Sequence, residues 1–150
     1  MSDLWKAGDD VTNTLKDLIA NHHPDLALHD EEILVVFKEK ASEVDGTMIL
    51  GKSSKAAPLL SLVGDRSYKF VITLASDEWM KLSNTKQRAL LDHHLCACRA
   101  KENDQTGATK FWIQPPDVAF YEDEVRRHGF WRTSSSPVAD GVLTELFGDD

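Results

Sequence analysis

The residues of this chain with the clearest potential for chemistry lie at 90–98, in the run LLDHHLCAC. A helix with the pattern H-E-x-x-H carries two imidazoles at i and i+4 on one face, where they can share a zinc ion, and the Glu serves as general base for a metal-bound water. Only the first residue of that pattern is present here, as His93. The Glu position holds His94, and the second His position holds Ala97, which has no donor atom. The run therefore predicts a helix of the zinc-protease type that lacks the general base and one of the two zinc ligands.

The segments on either side extend the comparison beyond a short motif. In chain order they are YKFVITL at 68–74, DEW at 77–79, KQRALLDH at 86–93, PDVAFY at 116–121 and RHGFW at 127–131. From about Glu31 to Trp131, their order and spacing resemble the phage metallopeptidase family, which is related to the SprT-like zincins. In that family the helix reads roughly L-x-D-H-E-L-C-H-C, and the later segments read roughly H-D-V-E-E-F and R-H-G-L-W.

The resemblance implies a zincin-like α+β fold, a phage or prophage origin and a setting in the host cytoplasm. It also implies a zinc ion on the two helix histidines and on a downstream histidine, which corresponds to Pro116 in this chain. The motif positions are thus His93, His94, Ala97 and Pro116, and the last three hold residues that cannot play the family's roles. The chain is identified as a degenerate member of the family.

A second pair of ligand-type residues lies one residue further along the same helix. At about 100° per residue, Leu91, Leu95 and Cys98 share one side, and His94 lies beside them, one turn before Cys98. This pair fits either a relocated zinc site or a buried histidine that is hydrogen-bonded next to a small apolar cysteine. Because two ligands do not close a zinc site, we expect the buried pair, with no metal and no catalytic residue. Zinc on His93, His94 and Cys98 remains the alternative.

The other histidines are weaker candidates. His22 and His23 end a predicted helix, and His29 lies in an acidic loop with residues 30–32. A cluster of imidazoles and carboxylates can hold a metal, but solvated loops have the same composition. His128 lies at a predicted helix C-terminus, where a cation is favoured by the helix dipole. We expect structural roles for these residues.

Composition limits the class of protein. The chain has 150 residues, of which 41% are hydrophobic and 28% are charged, so we predict one soluble domain with its core at about 10–131 and a flexible segment at 132–150. The net charge of −8 opposes binding to nucleic acid or to anionic membranes. No apolar run is long enough to span a bilayer, and no signal layout is present, so we expect a cytoplasmic protein. Cys96 and Cys98 are too close along a helix to pair, which suits a reducing compartment.

Periodicity predicts a small twisted sheet, mixed or antiparallel, packed against the central motif helix and flanked by N- and C-terminal helices. The predicted elements begin with a helix at 10–21 and strands at 33–37, 47–50 and 68–74. Ser76 is predicted to cap a short helix that runs through Trp79, and Asn84 with Gln87 to cap the central helix, which extends through Cys98. The last predicted helix follows Pro115-Pro116, starts near Asp117 and is capped at Gly129. Residues 51–55, GKSSK, are predicted to be a plain connection.

These observations favour a catalytically degenerate, metallopeptidase-like phage protein that is not an enzyme and acts by binding a host or phage protein. Inhibition or redirection of a host factor or defence system would suit such a protein. The first alternative is an active zinc-dependent peptidase with the relocated metal site. The second is a plain structural or assembly protein. No cofactor is expected, and zinc is the one cofactor kept open.

Overall fold

A computed structural model describes residues 3–57, 68–116 and 122–129. The chain divides into two units, residues 1–114 and residues 115–150, and each is described by itself. The first unit contains, in chain order, β1 (Leu4–Lys6), α1 (Asp9–His22), β2 (Ile33–Lys38), β3 (Ser42–Val44), β4 (Thr47–Ile49), β5 (Gly51–Lys55), β6 (Phe70–Ala75), α2 (Ser76–Trp79), α3 (Asn84–Ala97), β7 (Cys98–Glu102) and β8 (Thr109–Ile113). In the second unit the described helix is α4 (Glu122–His128).

A mixed sheet organises the first unit, with strands in the order β1-β2-β6-β5. Strand β2 runs parallel to β6, whereas β1 and β5 are antiparallel to their neighbours. The alternation read from the sequence is confirmed, because the buried rows of the two central strands lie opposite each other in register. The paired core residues are Ile33 with Phe70, Val35 with Ile72, and Phe37 with Leu74.

The two long helices supply the rest of this core. The apolar stripe of α1 is buried, as the predicted helix at 10–21 requires, through Val11, Leu15, Leu18 and Ile19. In α3, Leu91 and Leu95 are fully buried, which confirms the core side predicted for the motif helix. The α+β class predicted from the sequence is therefore confirmed. Among the described helices, none is both long and apolar enough to cross a membrane.

Residues 51–55 contradict the sequence prediction of a plain connection. They form β5, the edge strand that pairs antiparallel with β6. The Gly-Lys-Ser-Ser-Lys sequence has low strand propensity because it has no β-branched or aromatic residue. Its pairing with the buried strand β6 overrides that preference, and the exposed side chains of Lys52 and Lys55 are typical of a sheet edge that is kept from further pairing.

Three local predictions about helix ends are also corrected. Ser83 caps α3 in place of Asn84, since its hydroxyl accepts a hydrogen bond from the Lys86 amide at 3.3 Å. Strand β6 runs directly into α2, so Ala75, and not Ser76, occupies the N-cap position. The motif helix ends at Ala97, and the chain is already extended at its next residue, which begins β7.

Hairpins account for β3, β7 and β8, which periodicity missed, whereas β4 confirms the strand predicted at 47–50. Strands β3 and β4 join through Asp45 and Gly46, which have φ values of 50° and 80°, the left-handed backbone of a tight two-residue turn. Strands β7 and β8 form a second antiparallel pair. In the second unit, Gly129 has a φ of 65° and its amide donates to the Val125 carbonyl at 2.8 Å, which confirms the predicted cap of the last helix. Residues 117–121, where that helix was predicted to start, and residues 132–150 lie outside the described residues.

Candidate functional site

Helix α3 carries the motif residues and is fixed at several points. Its first turn is capped by Ser83. Near its middle, the Arg88 guanidinium donates to the Asp17 carboxylate of α1 at 2.6 Å. Its last residue, Ala97, accepts a hydrogen bond through its carbonyl from the Gln114 amide at 2.8 Å. The helix is thus held against α1 and against the end of β8, so its faces have defined surroundings.

His94 occupies the position of the family's general base, and its side chain is buried. It is 8% exposed, and its Nε2 atom has no hydrogen-bond partner among the described residues. Gly51 of β5 covers the ring so closely that a Cβ built on this glycine would lie 2.6 Å from Nε2. Burial lowers the pKa of His94 from 6.5 to about 4, with a smaller contribution from the neighbouring His93. The imidazole is therefore neutral at pH 7.

The main chain of His94 links α3 to the sheet and to the start of β7. Its carbonyl accepts hydrogen bonds from the Ser53 hydroxyl at 2.8 Å and from the Cys98 thiol at 3.6 Å. Cys98 is fully buried, and this burial raises the pKa of its thiol to about 12. A thiol that stays protonated is a poor metal ligand, because zinc binds the thiolate. The sequence placed His94 and Cys98 together, and the contact that joins them runs through the backbone carbonyl of His94.

His93 lies about 100° around α3 from His94 and is exposed. Its ring and that of His94 have centroids 5.1 Å apart at an interplanar angle of 75°. Among the described residues, His93, His94 and Cys98 do not form a three-donor group. Ala97 is half-buried, and Pro116 is an exposed residue of the second unit.

These residues do not fit the zinc ion that the family resemblance implies. A catalytic zinc requires three protein ligands and an open position for water. Ala97 and Pro116 have no donor atom, and Nε2 of His94 lies under the backbone of Gly51. Of the four motif positions, His93 alone offers an accessible donor. We therefore assign no reaction step to a metal at the motif position.

A different group of donors meets between α1 and α3. Asp92 and Cys96 are four residues apart on α3, and His23 follows the last residue of α1. Nε2 of His23 lies 2.6 Å from Oδ1 of Asp92, and one ligand atom from each of the three residues lies within 4.8 Å of the others. The His23 side chain is 11% exposed and that of Asp92 is 37% exposed, whereas Cys96 is exposed.

The backbone around His23 explains why its ring faces α3. Its amide donates to the Ile19 carbonyl at 3.0 Å, which ends α1, and Pro24 follows directly. A residue before proline is pushed away from helical backbone angles, and His23 has φ −129° and ψ 69°. This turn at the helix end holds the imidazole on the α3 side of α1.

The sequence alone does not reveal this group. His23 stands beside His22 at a helix end and resembles His29 in its acidic surroundings, whereas the structure places His29 against Glu32, with Nδ1 2.9 Å from Oε1. The available signal was the i,i+4 spacing of Asp92 and Cys96, which puts both side chains on one helix face. The third member lies 69 residues before Asp92, a distance that periodicity cannot bridge.

Comparison with known proteins identifies a family. The model of a family described as "Putative phage metallopeptidase" matches residues 4–140. No curated protein and no solved structure matches the chain.

Proposed function

Because the chain belongs to the phage metallopeptidase family, whose model covers residues 4–140, we propose that it is a non-hydrolytic member that acts by binding a protein. The partner is a host or phage protein, and the phage setting of the family favours a host factor that is inhibited or redirected, such as a defence protein.

The single observation that carries the proposal is the burial of His94 under Gly51. A general base must lie within hydrogen-bond reach of the water that it activates. Nε2 of His94 is inaccessible, and the backbone of β5 occupies the space in front of it. The position where the family's base would act is thus part of the core, and its low pKa keeps the ring neutral there.

Protein binding is supported by exposed apolar side chains on the β3–β4 hairpin. The β3–β4 hairpin exposes three apolar side chains, Val44 at 55%, Met48 at 40% and Ile49 at 38%. Val44 and Ile49 lie on one face of the hairpin, as the pairing of Val44 with Thr47 and of Ser42 with Ile49 requires. Apolar side chains inside a polar rim are typical of protein interfaces. The chain's net charge of −8 favours a partner with a basic surface.

Hydrolysis is tested with a casein-type substrate, with added zinc and with a chelator. We expect no cleavage by the unmodified protein or by His94→Glu, because a new carboxylate supplies no metal. Adding Ala97→His gives His93 a histidine at i+4 and should raise zinc affinity at the motif position, but cleavage should stay absent because position 94 is buried under Gly51. Chelator-sensitive cleavage by the unmodified protein would contradict the proposal.

Binding is tested by capture from the host on the immobilised protein, followed by purification of the captured protein and measurement of its Kd. The variant Val44→Ser/Ile49→Ser removes the apolar face of the hairpin. Leu28→Ser is the matched control, since Leu28 is 89% exposed outside the hairpin. A saturable complex that the double variant weakens and the control keeps is the expected result. If the double variant and the control bind the partner with equal Kd, the hairpin is not the binding surface. Absence of any saturable complex would refute protein binding.

A zinc peptidase is the alternative function, and the observation in its favour lies away from the relocated site on His93, His94 and Cys98 that the sequence suggested. The group His23, Asp92 and Cys96 has three donors, the number that a catalytic zinc uses. If the unmodified protein cleaved casein, His23→Gln and Cys96→Ser should abolish cleavage under this alternative. Cleavage that survives both variants but is lost in His93→Gln would place the activity at the family's motif position.

A further inference from the structure

We propose that His23, Asp92 and Cys96 form a zinc-binding site that ties the C-terminal end of α1 to α3. This site goes beyond the proposed function, which needs no metal, and it differs from the sequence expectation of no cofactor. It is also distinct from the relocated site considered from the sequence, because it uses neither His93, His94 nor Cys98.

Geometry is the first argument. With Zn–N and Zn–O bonds of about 2.0–2.2 Å and a Zn–S bond of about 2.3 Å, donors in a tetrahedral zinc site lie about 3.3–3.7 Å apart. The three ligand atoms here all lie within 4.8 Å of one another, and Nε2 of His23 lies 2.6 Å from Oδ1 of Asp92. Zinc binding would replace this hydrogen bond with two metal bonds, and it requires shifts of about 1 Å, which side-chain rotation supplies.

The position of the ligands on α3 is the second argument. Asp92 and Cys96 have the same i,i+4 spacing as the family's two histidine positions, which are His93 and Ala97 here. Each member of the new pair precedes its counterpart by one residue, so the pair is rotated by about 100° around the helix. That rotation directs the pair toward α1, where His23 supplies a third ligand.

Chemistry selects the metal. Imidazole, thiolate and carboxylate are all zinc ligands, whereas Mg²⁺ and Ca²⁺ prefer sets of oxygen donors. On binding, the Cys96 thiol releases its proton to solvent and a Zn–S bond forms, with no change of oxidation state. The thiolate and the Asp92 carboxylate together balance the charge of Zn²⁺. Cys96 is exposed, so water can reach a metal bound by these three residues and complete its coordination.

The test is metal binding by the full chain after chelator treatment, read by competition with a chromophoric zinc indicator. We expect one zinc per chain, and His23→Gln and Cys96→Ser should each weaken binding by about 100-fold or more, since ligand loss should exceed the 10–100-fold effect of losing a ligand's hydrogen-bond partner. His22→Gln and His93→Gln are the matched controls, because each changes a neighbouring histidine and should leave affinity unchanged. Mg²⁺ should not compete.

A spectroscopic readout identifies the ligands. Cobalt(II) bound in place of zinc should show thiolate-to-cobalt charge-transfer absorption that Cys96→Ser abolishes and His93→Gln keeps. Affinity should also rise with pH, because the thiol must lose its proton. Circular dichroism of each variant establishes that it is folded, and Asp92→Asn replaces any variant that is not.

Two outcomes would overturn the proposal. Zinc that is lost in His93→Gln but kept in Cys96→Ser would belong to the family's position. Failure of the folded protein to bind zinc more tightly than Mg²⁺ would leave His23 and Asp92 as a plain ion pair. The metal site is read by zinc affinity, and the proposed function is read by the casein and partner-binding assays, so failure of one is measured separately from failure of the other.

Discussion

Acidification should destabilise the folded protein through His94. The pKa of its buried imidazole falls from 6.5 to about 4 on folding. Between these two values the unfolded chain holds a proton on His94 that the folded chain does not hold, so stability rises with pH across that window. The contribution is present in full above about pH 6.5, is lost as the pH falls toward 4, and does not change further below that value.

The size of the effect follows from the two pKa values. Each pH unit between them is worth about 1.4 kcal/mol, so the fall from 6.5 to about 4 corresponds to about 3 kcal/mol. With 8% of the residue exposed, solvent screening reduces this figure little. A loss of that size is a large fraction of the stability of a typical domain of this length.

Urea unfolding over a series of pH values between about 4 and 8 measures the effect. His94→Leu removes the titrating group while keeping an apolar side chain, so the difference between the unmodified protein and this variant isolates His94 from other groups. His93→Gln is the matched control, and it should reduce the pH dependence only slightly because His93 is the smaller cause of the pKa shift. A difference below about 1 kcal/mol between pH 7 and pH 4 would refute the assignment of a buried, neutral His94.

Three further predictions concern the free energy of unfolding, measured in urea. Gly51→Ala should lower it by about 1–3 kcal/mol, since the new methyl group would lie 2.6 Å from Nε2 of His94 and 2.9 Å from the Thr73 carbonyl. The loss should be smaller in a His94→Ala background, and no loss at all would mean that β5 does not cover the ring. Ser83→Ala should lose about 1 kcal/mol through the N-cap of α3, whereas Ser83→Asp should not. Leu91→Ala should cost about 2–5 kcal/mol because this side chain is fully buried, and a cost below about 1 kcal/mol would contradict its place in the core.

The parts of the fold that the sequence predicts correctly are those fixed by a strong local period. Alternation in β6 and helical spacing in α1 bury the residues that the patterns select. Strand β5 was missed because its polar residues give no such pattern, and it is defined by hydrogen bonds to β6. The end of α3 was misplaced because Cys98 continues the apolar stripe of the helix while its backbone has already become extended.

In the candidate site, too, the sequence predicts what residue type decides and misses what depends on tertiary contacts. Comparison with the H-E-x-x-H pattern identified which positions lack donors, because residue type alone decides that Ala97 cannot bind a metal. Whether His94 faces solvent or the core depends on Gly51, which lies on a strand that the sequence did not reveal. The meeting of His23 with Asp92 depends on how α1 packs against α3, a tertiary contact between residues that are distant in sequence.

Two different faces of α3 carry the catalytic motif position, now filled by His94, and the metal donors Asp92 and Cys96, so the helix can lose the first and keep the second. His94 now contributes to the core, and Gly51 packs on its ring, so restoring a base there would put a carboxylate in an apolar site at the cost of burying a charge. Asp92 and Cys96 are each two residues from His94, about 160° away around the helix and on the side of α1, so they are independent of that packing. Substitutions at 94 and 97 therefore leave the donors at 92 and 96 in place. A variant that repairs the motif, His94→Glu with Ala97→His, should consequently lose stability through the buried Glu while keeping the zinc affinity of the His23 site.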